Sequence, residues 1–443
     1  MTTKYKNALE LINSRLGNRK LVWFGTRGTD SRALLGINNF KELFSLIAPL
    51  NSISLNKEVC LETKKKLRVD LDSYSIDYDD TPDALDLRRQ LFFSLADQSY
   101  LVSYRPSNFL TSIYFPRSKS VEYLGLFHES QEPFEHKPWV ESELKKVGVN
   151  IVPWTYVEEK DRNLLEEMLQ TGPQVIRSSR SDGGAGLALI HDPAELDLKS
   201  VPHPDHFLGV APFLSPSIPL NVNAVAFPDG TVTLHSPSLQ LIGIRSCTRR
   251  TFGYCGNDFA RLGDLSDKIL DELEEYVIKS GRWLASKGYL GAFGIDAIVF
   301  RDRVYVAEIN PRFQGSSDLS SWIDLDMQRP DMFLDHIAAF LGIEPRQDNV
   351  HLKDLAKDQM KVSQIICHNI SESYLQRNEQ PLPIKAVVDH YELVPASRIA
   401  VAPEAILFRA VANGSVTEDG NSLITKYNDE IQSTVKVLFD INS

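Results

Sequence analysis

The sequence predicts an α+β chain of more than one domain, and three observations carry that expectation. Its 443 residues exceed what one ordinary hydrophobic core organises, so two or three domains are expected. Segments of helical period alternate with short apolar runs bounded by glycine and proline. Two strand–loop–strand units, around Gln174–Ile190 and Gly294–Arg312, stand in the middle of the chain and concentrate its polar chemistry.

Taken in order, an amphipathic helix over about 4–16 leads to the apolar run Leu21-Val22-Trp23-Phe24, then to Gly25-Thr26-Arg27-Gly28-Thr29-Asp30. This reads as strand, tight turn and a helix capped near Asp30. A dinucleotide fingerprint would need a third glycine and a later acidic residue, so a structural turn is the better reading. Short strands and helices continue to about 130. Beyond Glu132-Pro133 the pattern sharpens into helices over Trp139–Val147 and Asp161–Leu169, each closed by glycine. Ser266 caps a long amphipathic helix that Gly288 ends, and Asp331–Leu341 forms another. The apolar pieces Ile365-Ile366, Ala386–Val388 and Val435–Phe439 suggest a small β-rich or mixed end. The expected division is an α/β domain over 1–132, a central domain over 133–345 with a smaller lobe at about 133–209, and a mixed α/β domain over 346–443.

Composition narrows the functional classes. With 48 basic and 59 acidic residues the formal charge is −11, which argues against nucleic acid or an anionic membrane as partner. The opening residues MTTKYKNALELINSRLGNRK contain no apolar leader, and no uncharged stretch approaches the ~20 residues a bilayer span needs. Cys60, Cys247, Cys255 and Cys367 show no zinc-ligand spacing. A soluble cytoplasmic protein with reduced thiols is the expectation.

The most informative stretch runs from Gly294-Ile295-Asp296-Ala297-Ile298-Val299 through Arg301-Asp302-Arg303 to Ala307-Glu308-Ile309-Asn310-Pro311-Arg312. Two apolar runs around a polar apex predict a β-hairpin. With Asp302 at the apex, Asp296 faces Glu308, their β-carbons about 4.5–5.5 Å apart, unless a bulge shifts the register. Glu308 and Asn310 then share a face, because strand side chains alternate. Opposed carboxylates need a counter-charge, and a hard divalent cation wants this oxygen set completed by phosphate and water. Arg312 can reach the same face. The competing reading is a solvated hairpin whose acids pair with Arg301 and Arg303, although these lie at its far end.

Ser178-Ser179-Arg180-Ser181-Asp182-Gly183-Gly184-Ala185-Gly186 joins two strands. Glycines let backbone N–H groups close over phosphate oxygens. The loop is no Walker motif, since no lysine–serine pair or helix follows, and a simple hairpin tip remains an alternative.

Together the two units resemble those of the ATP-grasp superfamily. GIDAIV followed by AEINPR is similar to its metal-binding signature, and SDGGAG to its phosphate-covering loop. His136-Lys137-Pro138, Val149–Pro153 and Gly288–Asp296 add supporting likeness over about 133–342. The resemblance implies ATP clasped between two α+β subdomains, with Mg2+ (or Mn2+ in its place) on Asp296, Glu308 and Asn310. It implies phosphate contacts from Lys137 and Arg177, a covering loop of Ser181, Gly183, Gly184 and Gly186, and an adenine-side segment including Ala211 and Phe213. Arg312 and Arg177 would be catalytic. Two departures stand out: Arg177 occupies a position where the family often has lysine, and the adenine segment lacks the acidic residue that commonly marks it.

The implied reaction is carboxylate–amine ligation through an acyl phosphate. Pro212–Ser215, Asn221–Asn223 and Ser238–Gln240 resemble the peptide and amino-acid ligases of natural-product pathways, of pheganomycin or butirosin carrier-protein type. That likeness implies amino-acid or peptide substrates, with an acyl carrier protein or a second copy as partners. A small-molecule kinase on the same scaffold is the principal alternative. Arg245, Arg249 and Arg250 precede Tyr254-Cys255-Gly256 in a polar loop that reads either as a lid carrying an arginine for a substrate carboxylate or as ordinary surface charge. Cys255 has no histidine nearby to make it a nucleophile. No general base is assigned; an acid near Asp318 is the sole suggestion.

Overall fold

The computed structural model describes residues 3–48, 55–113, 115, 120–158, 161–179, 184, 186–197, 207–345, 350–382 and 387–439. The amino-terminal part is a parallel sheet with spatial order Lys57–Cys60, Phe40–Ile47, Lys20–Arg27, Ser99–Ser103, Val121–Tyr123. Its central strand carries apolar residues on both faces, as a parallel sheet covered twice requires. Val22 and Phe24 enter one core, and Leu21 and Trp23 the other. Behind this strand Gly28–Gly36 forms a 3-10 helix, in which Asp30 is buried and pairs with Arg27 at 3.1 Å.

The small lobe is a four-stranded antiparallel sheet in the order Thr155–Glu158, Phe207–Pro212, Gln174–Ser178, Leu187–Ile190. It has its own core, to which helix Arg162–Leu169 adds Leu165 and Leu169. The lobe joins the larger body where Val152 N–H donates to Val306 at 3.0 Å and Val306 N–H to Asn150 at 2.8 Å.

The larger body is a nine-stranded sheet. From one edge it runs Arg303–Asn310, Gly291–Phe300, Ile218–Ala226, Ser238–Ile242, Tyr254–Asp258, Val362–His368, Ile406–Asn413, His390–Glu392, with Val232–Leu234 paired aside. The long helix Asp267–Ser286 covers one face. Ser266 caps it, its Oγ accepting from Ile269 N–H at 3.4 Å, and Leu270, Leu273 and Val277 are buried. Helix Met332–Phe340, capped by Asp331, packs into the same core as the amino-terminal domain. There Phe333 stacks on Phe313 with ring centroids 4.3 Å apart and meets Trp23 edge-on at 5.6 Å.

The carboxy-terminal segment does not form a sheet of its own. The exposed edge of Tyr254–Asp258 is paired by Val362–His368, so the last strands extend the central sheet across the expected boundary at 345/346. Val435–Phe439 lies on helix Thr425–Phe439 rather than in a strand, and its apolar positions bury Val435, Leu438 and Phe439 at helical spacing.

Candidate active site

The hairpin brings Asp296 opposite Glu308 and Gly294 opposite Asn310. It reaches that register by an unforeseen route. The turn is two residues long, Arg301 and Asp302, both left-handed at φ 51° and 56°, which suits the twist of the flanking strands. Pairing from Phe300–Arg303 to Ala297–Val306 is therefore one residue out of step with an apex at Asp302. A bulge at Ala307 restores it. Without that extra residue Glu308 would be displaced from Asp296 and turned toward the opposite face.

Neutral amides hold the Asp296 carboxylate. Oδ1 accepts from Asn221 Nδ2 at 2.7 Å and Gln240 Nε2 at 2.8 Å, and Oδ2 accepts from Asn310 Nδ2 at 3.0 Å. Burial, reinforced by the charge of Glu308, pushes the Asp296 carboxyl up to about 6. Gln314 lies directly over Gly294, where a β-carbon would sit 1.5 Å from its Nε2, and it bonds Asn221. Glu308 forms an ion pair with Lys137, the first residue of helix Lys137–Lys146. Among the described residues no group of three or more His, Cys, Asp or Glu is arranged to hold a metal ion. A cation at this place would take the two carboxylates, the Asn310 amide and outside ligands.

Above the hairpin lies a cavity of about 950 Å³, within the range of ligand sites. Trp154, Val175, Leu187 and Ala211 line it from the small lobe; Ile298, Asp296, Glu308 and Asn310 line it from the hairpin. Phe213 lines it too, its ring edge-on to Phe252 with centroids 6.2 Å apart. Gly184 adopts φ +77°, and a β-carbon there would meet the Phe252 carbonyl at 2.2 Å. The phosphate-loop candidates Ser181 and Gly183 lie outside the described residues. Gly186, also left-handed, accepts the Ser178 N–H at 3.1 Å and is not part of the lining.

The expected cations are distributed unequally. Lys137 faces Glu308. Arg177, 3% exposed, pairs with Glu141, bonds the Tyr156 hydroxyl at 2.9 Å and stacks 3.7 Å from the Trp154 ring centre. It therefore backs the cavity wall rather than lining it. Arg312 lines the cavity, its Nε 3.7 Å from Glu135. Arg245, Arg249 and Arg250 do not line it. Arg250 grips Asp70 at 2.6 Å and Asp72 at 2.5 Å, Arg249 reaches Glu372 at 3.1 Å, and Arg245 donates to the Arg249 carbonyl at 2.9 Å. The residues of that stretch that face the cavity are Thr251, Phe252 and Tyr254.

Other lining residues had not been assigned to the site. Thr26 and Arg27 come from the end of the strand Lys20–Arg27, where a turn was expected, and Tyr104 follows the neighbouring strand Ser99–Ser103. Arg27 donates to the Gly315 carbonyl at 3.3 Å, tying that turn to the segment after the hairpin. The isolated arginine inside Gly25–Asp30 was the available signal. Asp318 is engaged by Arg32 at 2.7 Å and Arg409 at 2.6 Å, which hold it below the usual carboxylate range despite its burial. An acid so paired makes a poor base.

The hairpin, the two lobes and the cavity between them define an ATP-grasp fold. Residues 144–316, less than half of the chain, match the profile of the ATP-grasp domain. Biotin carboxylase from Campylobacter jejuni, solved with an ATP complex, superposes with TM-score 0.61 at 13% identity over 95% of this chain and 91% of that one. The L-amino acid ligase of Bacillus licheniformis gives TM-score 0.58 at 13% identity, covering 90% and 94%. At such identities the likeness concerns the fold. The carbamoyl phosphate synthase large chain of Thermotoga petrophila is 25% identical over 200 residues, which is 44% of this chain and 17% of that protein. The chain thus spans about a sixth of the length of the curated relatives it matches.

Proposed function

We propose that the cavity binds ATP and that the protein is a carboxylate–amine ligase working through an acyl phosphate. The observation that carries this reading is the Asp296–Glu308 pair, two opposed acids beneath a nucleotide-sized cavity, one of them held only by amides. Asp296, Glu308 and Asn310 would hold Mg2+, which when bound supplies positive charge to the β- and γ-phosphate oxygens. Rotating the Asn310 amide would present its oxygen instead of its N–H. The biotin carboxylase domain of Hydrogenobacter thermophilus 2-oxoglutarate carboxylase, similar in fold at TM-score 0.60 and 15% identity, holds MgADP and bicarbonate, which supports a magnesium–adenine nucleotide reading.

The aliphatic wall of Val175, Leu187, Ala211 and Ile298 suits an adenine ring and excludes water from it. Lys137, released from Glu308, would meet a phosphate, while Arg177 fixes Trp154 through its stacked guanidinium. A substrate carboxylate oxygen attacks the γ-phosphorus, and the bond to the β-phosphate oxygen breaks with its electrons leaving on ADP. An amine nitrogen then attacks the acyl carbon, the carbon–oxygen bond to phosphate breaks, and phosphate departs with that pair. The amine's surplus protons pass to solvent. Arg312, which lines the cavity beyond the end of the hairpin, would stabilise the tetrahedral oxyanion.

Amino acids as both acid and amine are the substrate class proposed, since one of the solved structures sharing the fold is an L-amino acid ligase. The test is a screen of amino-acid pairs for ADP release with mass detection of the condensed product. Amine-dependent ADP release with an amide product supports ligation. A stable phosphorylated product that ignores amines would sink it and establish a kinase instead.

A further inference from the structure

A second cavity, of about 550 Å³, opens beside the first and has been given no role. It is formed largely by the amino-terminal domain. Ser73, Ser75, Ser107 and Asn108 line one side, and His128 and Glu132 face them from the segment leading into the central domain. The two cavities share Thr26, Asp72, Tyr104, Arg105 and Arg312. Their common wall therefore includes the arginine proposed for the reacting centre. A molecule in the second cavity would lie against that wall, on the side away from the hairpin acids.

The lining lacks the aliphatic wall of the first cavity and is mostly polar. It carries the carboxylates of Asp72, Asp77, Glu132 and Glu135 against the guanidiniums of Arg105 and Arg312, with serine and asparagine between them; Asp72 is also paired with Arg250 from behind, so the carboxylates outnumber the guanidiniums by one. Such a surface favours a cation over an anion, since Coulomb attraction acts most strongly in a recessed, low-dielectric site. An acid to be phosphorylated would meet excess like charge there, whereas an ammonium group would not. A single guanidinium at the neck can still accept the carboxylate of a zwitterion. The first cavity thus combines an aliphatic wall with the hairpin acids, whereas the second is polar throughout most of its lining.

We infer that this second cavity is the acceptor chamber, taking a small polar amine of the amino-acid class and delivering its nitrogen past Arg312. The inference rests on the ligase reading and adds where the amine binds and what chemistry selects it. In the step it serves, the new bond is nitrogen to acyl carbon, the broken one carbon to phosphate oxygen, and the ammonium protons leave through the chamber mouth to water.

The test separates the two claims by using hydroxylamine, an amine too small to need a chamber. Each of the twenty amino acids is incubated with enzyme, ATP and Mg2+, first with hydroxylamine and then with amino-acid acceptors. Asn108→Trp fills the chamber from an exposed position, and Glu132→Lys reverses a charge in its wall. The expected result is a fall of tenfold or more in the ratio of amino-acid coupling to hydroxamate formation in both variants, carried by a higher KM for the acceptor. An unchanged ratio in folded variants overturns the chamber while leaving ligation standing. Loss of hydroxamate in step with coupling also overturns it, because the chamber would then serve the acid. No hydroxamate from the unaltered enzyme with any acid would remove the ligase reading, and the chamber with it.

Discussion

Two groups of buried acids in this molecule are treated in opposite ways. Asp318 and Glu392 are each bonded by two guanidiniums, Arg32 and Arg409, reaching across from the amino-terminal domain and from the last strands of the central sheet. Both carboxyls are held below their ordinary range: burial opposes the charge, and the arginines overcome it. Asp296 is buried too, yet its carboxylate meets three amide N–H groups and the neighbouring charge of Glu308, and its carboxyl rises to about 6. Amides orient a carboxylate without neutralising it. Guanidiniums thus neutralise Asp318 and Glu392, whereas at the hairpin only Glu308 meets a cation, Lys137, and the charge of Asp296 is left for the cation proposed above.

The sharpest way to break this contrast is Glu308→Ala. If the hairpin acids serve a cation and phosphates, turnover falls by about a thousandfold or more, with circular dichroism unchanged. Near-normal kcat would place the hairpin with the structural acids. The converse applies to Arg409→Met, which leaves Asp318 and Glu392, 3% and 5% exposed, to share the one guanidinium of Arg32. Leaving one buried charge uncompensated costs about 3–5 kcal/mol, so equilibrium denaturation should show a loss of that size. A loss below about 1 kcal/mol would mean that the network is dispensable. Gln240→Leu lies between the two. It deletes one N–H from Asp296 without touching any charge, and a bond to a charged group contributes about 1.5–3 kcal/mol. The Mg2+ concentration for half-maximal ADP release should rise about tenfold while the denaturation midpoint moves little; an unchanged requirement would detach Gln240 from the site.

Much of this is legible in the sequence, for identifiable reasons. The alternation of Gly294–Arg312 and its polar apex sufficed for a hairpin that opposes Asp296 to Glu308, because strand periodicity is local. The two-residue turn and the bulge at Ala307 were not readable, since a bulge depends on pairing geometry. Their effects cancel at Asp296, so the expected facing pair emerged although the apex was misplaced. The amides around Asp296 were harder. Asn221, Gln240 and Gln314 lie 75, 56 and 18 residues away in sequence, brought together only by sheet order. Arg245, Arg249 and Arg250 looked like substrate ligands because a cluster of arginines is visible in one dimension. The acids that occupy Arg250 and Arg249, namely Asp70, Asp72 and Glu372, come from elsewhere in the chain, and Arg245 is turned to the Arg249 carbonyl. Arg27 erred the other way, read as part of a structural turn although the turn opens onto the cavity. The last strands were assigned to a separate domain because sequence distance does not reveal which sheet edge remains open.

A third buried cluster tests whether the pairing rule carries a signature in pH. His235 donates from Nδ1 toward Asp324 at 2.7 Å, its Nε2 lies 3.4 Å from Asp335, and Asp324 is also bonded by Ser236 and Arg329. Burial alone would lower the imidazole, but the two aspartates outweigh it and raise its pKa to about 9. The folded state therefore holds this proton more tightly than the unfolded one. The stabilisation is complete below about pH 6.5 and is lost as pH rises through 9, at no more than about 1.4 kcal/mol per pH unit. Nearby Asp331, pushed up to about 7 by burial, acts with the opposite chemistry: its cost accrues from the ordinary carboxylate value up to 7 and is flat beyond. From pH 7 to 9 Asp331 is therefore silent, and the thiols, which burial and their mutual contacts displace, contribute alike to the protein with and without His235. Urea denaturation at pH 7, 8 and 9 should show a decline steeper than that of His235→Gln. Equal slopes in the two proteins would mean that His235 is neutral in the folded protein, and that its aspartates are satisfied by Ser236 and Arg329 instead.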